Sequence, residues 1–298
     1  MRTLLEKTRD RLKEAGISDY YRMAQDLVCH VFKVDAVEIM TRDYMPDRAK
    51  EAELFEYTEL CASGKPIQYV INEAHFLDIA LYVDHRVLIP RPETEGLADI
   101  ARQFVDLRRR AGEETRVLDI CTGSGCIGLY LAKHNATVTL SDISKDALDV
   151  AKWNASTLGL TAEFVQSDLF EGITNDSVGD AYAYKAADAA GDAASGAGTL
   201  PQFDIITANP PYIPSSVIPT LDINVRAWEP LEALDGGPTG CEIPDRIIAA
   251  YDKYLAKGGL FLMEIGDDQG AHFRALLPQA KIIQDLEGHD RIVALRKA

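Results

Sequence analysis

One stretch constrains the fold more than any other. Val117-Leu118-Asp119-Ile120 is a short apolar run ending on Cys121-Thr122-Gly123-Ser124-Gly125. Helix-spaced Ile127, Leu129, Tyr130, Leu131 and Ala132 follow directly. A strand that turns through glycines into a helix starts a β-α crossover and so calls for a neighbouring parallel strand. The pattern repeats. Val138-Thr139-Leu140 reads as the second strand, and Ser144 caps a helix carrying Ala147, Leu148, Val150 and Ala151. Phe164-Val165, 203–207 and 260–265 read as third, fourth and fifth strands, and 281–286 with 291–295 as a closing pair. This alternation predicts a mainly parallel sheet with helices on both faces. Ligands of such sheets sit beyond the carboxyl ends of the strands.

The flanking regions read differently. Residues 1–65 are helical in pattern, with Leu4, Leu5, Thr8, Leu12 and Ala15 on one stripe and Gly16 as a stop. Asp19 can cap a helix that turns Ala24, Leu27, Val28, Val31 and Phe32 inward. Asp35-Ala36-Val37-Glu38 resembles a capping box, and a last helix runs over 48–62. Within 66–89, Ile67, Tyr69 and Ile71 alternate, as do Ile79, Leu81 and Val83, which predicts a β-hairpin connector without a tight two-residue turn. Residues 172–202, rich in Ala, Gly, Asp and Ser, read as a flexible surface insertion: an inert loop or a lid. The expected organisation is a small helical domain (1–65), the connector (66–89) and an α/β domain (90–298).

Charge narrows the partners. Lys and Arg number 31 against 47 Asp and Glu, for a net charge of −16 over 298 residues. Residues 1–65 hold 11 basic against 13 acidic side chains. Neither balance suits a broad phosphate-binding surface, so no direct contact with nucleic acid is expected. No apolar run approaches the ~20 residues of a membrane span, and the chain opens on charged residues, so a cytoplasmic protein without membrane contact is expected. The five cysteines form no Cys-x-x-Cys pair, and no metal site is expected.

Three features carry chemistry. The loop at 121–125 lets a ligand approach backbone N–H groups at a helix N-terminus, though a plain tight turn has the same pattern. Asp142, at the end of the second strand, can accept both hydroxyls of a ribose or merely cap the next helix, a task for which Ser144 is better placed. Asn209-Pro210-Pro211-Tyr212 follows the fourth strand. Two prolines fix the backbone, so the Asn amide and the Pro carbonyl aim two acceptors at one spot, which suits a planar NH2 group. Tyr212 adds an aromatic face.

Together these features resemble class I S-adenosylmethionine-dependent methyltransferases acting on amino groups. Further strings narrow the resemblance to the peptide chain release factor N5-glutamine methyltransferases. They are Pro66-Ile67-Gln68-Tyr69-Val70, Val87-Leu88-Ile89-Pro90-Arg91-Pro92-Glu93-Thr94-Glu95, Ser167-Asp168-Leu169-Phe170, Glu229-Pro230-Leu231-Glu232-Ala233-Leu234 and Glu264-Ile265-Gly266. The resemblance implies an α/β fold: a Rossmann-like sheet of seven strands with the last pair antiparallel, preceded by a small helical bundle and a β-hairpin. It implies S-adenosylmethionine as cofactor and, as substrate, the Gly-Gly-Gln glutamine of class 1 release factors. Asn209 and the Pro210 carbonyl would grip the glutamine NH2, with Tyr212 packed on the amide and Pro211 and Glu229 also at the substrate. Thr122, Gly123, Ser124 and Gly125 would line the methionine part, Asp142 the ribose and Leu169 the adenine. Cys121, Asp168, Pro92, Glu93 and Asn209 complete the implied cofactor contacts. Cys121 stands where the family commonly has Gly and is strained if the position needs φ > 0; Asn72 also replaces a usual Gly. A ribosomal-protein glutamine methyltransferase is the nearest alternative, and an adenine-N6 or guanine-N2 nucleic-acid methyltransferase a more distant one.

Overall fold

A computed structural model describes residues 1–41, 47–178 and 200–298. The chain forms two compact units: Met1–Glu73 with Val83–His85 and Leu221–Glu229, and Ala74–Tyr82 with Arg86–Thr220 and Pro230–Ala298. Among the described residues no helix is long and apolar enough to cross a membrane.

The first unit is built on α1 (Arg2–Glu14), α2 (Tyr20–Phe32), α3 (Ala36–Thr41), α4 (Arg48–Ala62) and α5 (Ile67–Ile71). Leu12, Ala24, Leu27, Val28, Leu54 and Cys61 form its core, as the helical stripes require. The capping box is present: Glu38 N donates to Asp35 Oδ1 at 2.8 Å, and Asp35 N to Glu38 Oε2 at 3.0 Å. Asp19 precedes α2 but makes no side-chain capping bond. The first expected hairpin strand is instead the helix α5. Pro66 presets its entry, and the N–H groups of Tyr69 and Val70 bond to the Pro66 carbonyl. Five alternating residues also span a single helical turn, so periodicity alone could not separate the two. Asn72 ends α5 in the left-handed region, at φ 54°, and its Nδ2 donates to the Val83 carbonyl at 3.1 Å.

The hairpin itself is β1 (Ala74–Phe76) and β2 (Ile79–Leu81), and its turn is tight after all, with only Leu77 and Asp78 between paired residues. Leu77 sits at φ 50°, a conformation no leucine signals in sequence. Tertiary bonds hold it: Leu77 N donates to Glu95 Oε1 (2.9 Å), and Lys133 Nζ to Asp78 Oδ2 (2.7 Å).

The elements that follow are α6 (Pro92–Arg110), β3 (Arg116–Ile120), α7 (Cys126–Lys133), β4 (Thr137–Asp142), α8 (Lys145–Leu158), β5 (Glu163–Gln166), β6 (Phe203–Ala208) and β7 (Ile213–Pro214). After α9 (Ile223–Arg226), which belongs to the first unit, come β8 (Asp235–Gly237), α10 (Glu242–Ala250), β9 (Leu255–Glu264), α11 (Gly270–Leu276), β10 (Lys281–Gln284) and β11 (Asp290–Arg296). Seven strands form one sheet in the order β10-β11-β9-β6-β3-β4-β5. Pairing is parallel from β5 to β9, and β11 is antiparallel to both β9 and β10. Alternate residues of the strands feed two cores. Leu118, Ile206, Phe261 and Phe273 lie in one, and Val117, Leu140, Ile205 and Leu97 in the other. The chain runs outward from β3 through β4 to β5 and then returns to β6, so the order reverses between β3 and β6. Their carboxyl ends flank the crevice where sheets of this kind bind ligands. Ile173 and Val178, placed by sequence in the insertion, are core residues. Of the expected flexible segment, 179–199 lies outside the described residues.

Candidate active site

The turn after β3 is fastened from below by Asp119. This wholly buried carboxylate accepts from Thr122 Oγ1 (2.5 Å), Thr207 Oγ1 (2.7 Å) and Gly128 N (3.1 Å), tying β3, β6 and α7 together. Gly128 lets α7 approach: a Cβ there would meet Leu140 at 3.0 Å. Burial pushes the Asp119 carboxyl up to about 6, against the pull of these three donors. The folded pKa therefore exceeds the unfolded ~3.9. Stability is full below the unfolded value and falls as pH rises through about 6. Denaturant midpoints between pH 4 and 7 should show wild type losing ~3 kcal/mol relative to Asp119→Asn, which cannot ionise.

Above this anchor, Cys121, Gly123 and Gly125 take φ of 56°, 54° and 84°. The left-handed conformation at Cys121 is one that favours Gly, so a cysteine there is strained, of order 1 kcal/mol. Thr122 and Ser124 are buried, and Asn154 Nδ2 donates to the Ser124 carbonyl at 2.9 Å. Nothing lies within 4 Å of where a Gly123 Cβ would stand, so that side of the turn is open. Asp142 ends β4 facing the same turn. Its Oδ2 accepts from Gly123 N and its Oδ1 from Ser144 N, both at 2.9 Å. Ser144 caps α8 through Ala147 N, so Asp142 is not spent on the cap, and each carboxylate oxygen keeps acceptor capacity. Burial raises the Asp142 carboxyl, opposed by the Ser144 and Gly123 amides. Leu169 is buried at φ 51°, in one core cluster with Cys121 packed against it. Asp168 beside it pairs with Arg246 of α10 at 2.8 Å. The open turn and the acidic side chain facing it fit the methionine and ribose parts of S-adenosylmethionine.

Asn209-Pro210-Pro211-Tyr212 leaves β6 next to this turn. Asn209 Nδ2 donates to Thr94 Oγ1 (3.1 Å), Thr94 Oγ1 donates to Glu264 Oε2 (2.6 Å), and the Tyr212 hydroxyl donates to Glu264 Oε1 (3.0 Å). Thr94 and Glu264 are each about 1% exposed. Burial, with the Glu264 charge beside it, holds the Tyr212 hydroxyl up and protonated as a donor. Pro92 and Glu93, at the start of α6, are exposed, and Thr94 of that turn bonds Asn209. Glu229 is buried in the first unit. Sequence reading assigned no role to Thr94 or Glu264, although both stand in strings it singled out.

It also missed the clasp on Tyr212. Gln269 Nε2 donates to the Tyr212 carbonyl (2.9 Å) and the Gly240 carbonyl (3.1 Å), and its Oε1 accepts from Gly266 N (2.9 Å). A Cβ on Gly240, whose φ is 78°, would stand 2.3 Å from the Tyr212 carbonyl oxygen. Gly240→Ala should therefore cost about 1–3 kcal/mol in backbone strain before the clash is counted, seen as a lowered melting temperature.

A parallel sheet with this strand order and an antiparallel β11, carrying a glycine turn that faces an acid on the next strand, defines a class I S-adenosylmethionine-dependent methyltransferase. Known proteins agree. The methyltransferase small domain model matches residues 99–180, and the PrmC N-terminal domain model matches 3–71. A release factor glutamine methyltransferase of Rhodopirellula baltica is 33% identical over 99% of this chain and 95% of its own length. Namesakes from Caulobacter vibrioides (35%, over 96% and 92%) and Chlorobaculum tepidum (34%, over 97% and 94%) are similar to the same extent. The chain belongs to the release factor glutamine methyltransferase family.

Proposed function

We propose that this enzyme methylates the N5 amide nitrogen of the glutamine in the Gly-Gly-Gln motif of class 1 peptide chain release factors. The observation carrying the reading is the Asn209 amide. Its nitrogen is engaged by Thr94, which leaves Oδ1 as an acceptor, and the Pro210 carbonyl is the next acceptor along the chain. Two fixed acceptors match the two hydrogens of a glutamine NH2. The names of the relatives support a release factor glutamine as the substrate.

An amide nitrogen is a weak nucleophile because its lone pair is delocalised into the carbonyl. Asn209 and Pro210 would hold both N–H groups, direct the lone pair, and favour the positive charge that develops on nitrogen. Their fixed geometry supplies the entropic part of the acceleration. S-adenosylmethionine, when bound, supplies an electrophilic methyl group. Thr122, Gly123, Ser124, Gly125, Asp142 and Leu169 would hold it, with Cys121, Asp168, Pro92 and Glu93 nearby. The proton can leave after transfer, when the nitrogen is strongly acidic, so no dedicated base is needed.

We assign substrate recognition to the helical region 1–65, joined through 66–89 to the catalytic region 90–298, with Pro211, Tyr212 and Glu229 also meeting the substrate. The net charge of −16 favours a protein partner over a nucleic acid. The reading places the enzyme in the cytoplasm, with its substrate. The test is incubation with purified release factor and methyl-labelled cofactor, followed by mapping of the label. Label on the Gly-Gly-Gln glutamine is expected; label only elsewhere, or none, overturns the reading.

A further inference from the structure

We propose that Glu264, acting through Thr94, is a positioning residue that decides which edge of the Asn209 amide faces the substrate. The inference rests on the glutamine reading above and adds the device that makes Asn209 an acceptor.

An asparagine side chain is nearly symmetric in shape, and only its surroundings decide whether oxygen or nitrogen points outward. Here the decision propagates along a directed chain. An ionised carboxylate only accepts, so Glu264 Oε2 obliges the Thr94 hydroxyl to donate to it, at 2.6 Å. Thr94 Oγ1 then has only lone pairs to offer, and the group that can use them is the Asn209 NH2, at 3.1 Å. Oδ1 is thereby turned outward. The second Glu264 oxygen is occupied by the Tyr212 hydroxyl at 3.0 Å, so one carboxylate orients two members of the Asn-Pro-Pro-Tyr loop. Thr94 lies in the first turn of α6 and Glu264 at the end of β9, and both are buried, so water does not compete for these bonds.

Protonating Glu264 reverses the chain. A proton on Oε2 donates to Thr94, Thr94 then donates to Asn209 Oδ1, and the amide turns its NH2 toward the substrate. Two donors then face each other, and the glutamine loses an acceptor. Burial raises the Glu264 carboxyl above its ordinary range, Glu93 of α6 adds to this, and the Thr94 and Tyr212 hydrogen bonds and the Arg291 charge on β11 oppose it. Methylation is accordingly present above that pKa and lost as pH falls through it.

The first test needs no cofactor. In the free protein, the nitrogen-15 resonance of the Asn209 side-chain amide, assigned by its absence in Asn209→Ala, should titrate with pH. It should move and become pH-independent in Thr94→Val, which keeps the shape of Thr94 and removes the hydroxyl. Thr94→Ser should restore the titration, and Glu264→Gln, which cannot ionise, should abolish it. In the second test, kcat for release factor methylation should fall on the order of tenfold to a hundredfold in Thr94→Val, with KM within about twofold. Thr94→Ser should return most of it. An Asn209 resonance indifferent to Thr94→Val and Glu264→Gln would overturn the proposal, as would equal turnover in Thr94→Val and Thr94→Ser. If wild type methylates no release factor, the amide titration still reads the relay, so the two readings fail separately.

Discussion

Asn209→Ala should stay folded and bind S-adenosylmethionine, yet lose on the order of 10²–10³ in the single-turnover rate of glutamine methylation. The backbone there is fixed by the end of β6 on one side and Pro210 on the other, whatever side chain it carries. The side chain contributes one hydrogen bond to the fold, to Thr94, worth about 1 kcal/mol. Melting temperature should therefore move little while turnover collapses. Asn209→Asp is the more informative companion. It keeps acceptor oxygens but brings a second carboxylate to Thr94, which already serves Glu264. With one hydroxyl proton between two acids, the introduced carboxylate would have to take up a proton or move away, and either outcome spoils the grip on the substrate. Tyr212→Ala should lose less than Asn209→Ala, because in the proposed mechanism its ring would position the amide without touching the developing charge. Near wild-type single turnover in a folded Asn209→Ala protein would refute the mechanism, even with the family assignment standing.

The parts of the molecule legible in sequence share a physical cause. Strands β3 and β6 and the 261–264 end of β9 are buried on both faces, so they read as short, mostly apolar runs, and the glycine turn marks where the first of them ends. Asp142 and Asn209 stand directly after strands, where topology places ligands, and their residue types already state what they can bind. The rest depended on partners far away in the chain. Thr94 and Glu264 are 170 residues apart, and neither residue alone predicts a relay. Gln269 acts through the Tyr212 and Gly240 carbonyls, 57 and 29 residues away in the chain. The Leu77 turn carries no glycine or asparagine signal because Glu95 and Lys133 supply the restraint from elsewhere. Local chemistry is readable where the backbone alone positions it, and hidden where a second side chain does.

Asp142→Ala should weaken S-adenosylmethionine binding by about 1.5–3 kcal/mol, roughly a ten- to hundredfold rise in Kd. On the proposed assignment, the lost interaction would be a charge-assisted bond to the ribose hydroxyls, made by a carboxylate whose two oxygens already hold Gly123 N and Ser144 N. Those two bonds matter to the interpretation. The Gly123 bond joins β4 to the glycine turn, so removing the carboxylate also frees an N–H in the loop proposed to line the methionine part. Asp142→Asn separates the effects. Its single oxygen can hold one of the two backbone donors, while the amide nitrogen turns a donor toward the other donor or toward the ribose. Loop geometry is then partly kept and the acceptor pair is broken. If the ribose contact carries the affinity, Asn should lose nearly as much as Ala by calorimetry. If loop order carries it, Asn should lie close to wild type. Unchanged affinity in Asp142→Ala would remove the ribose assignment altogether.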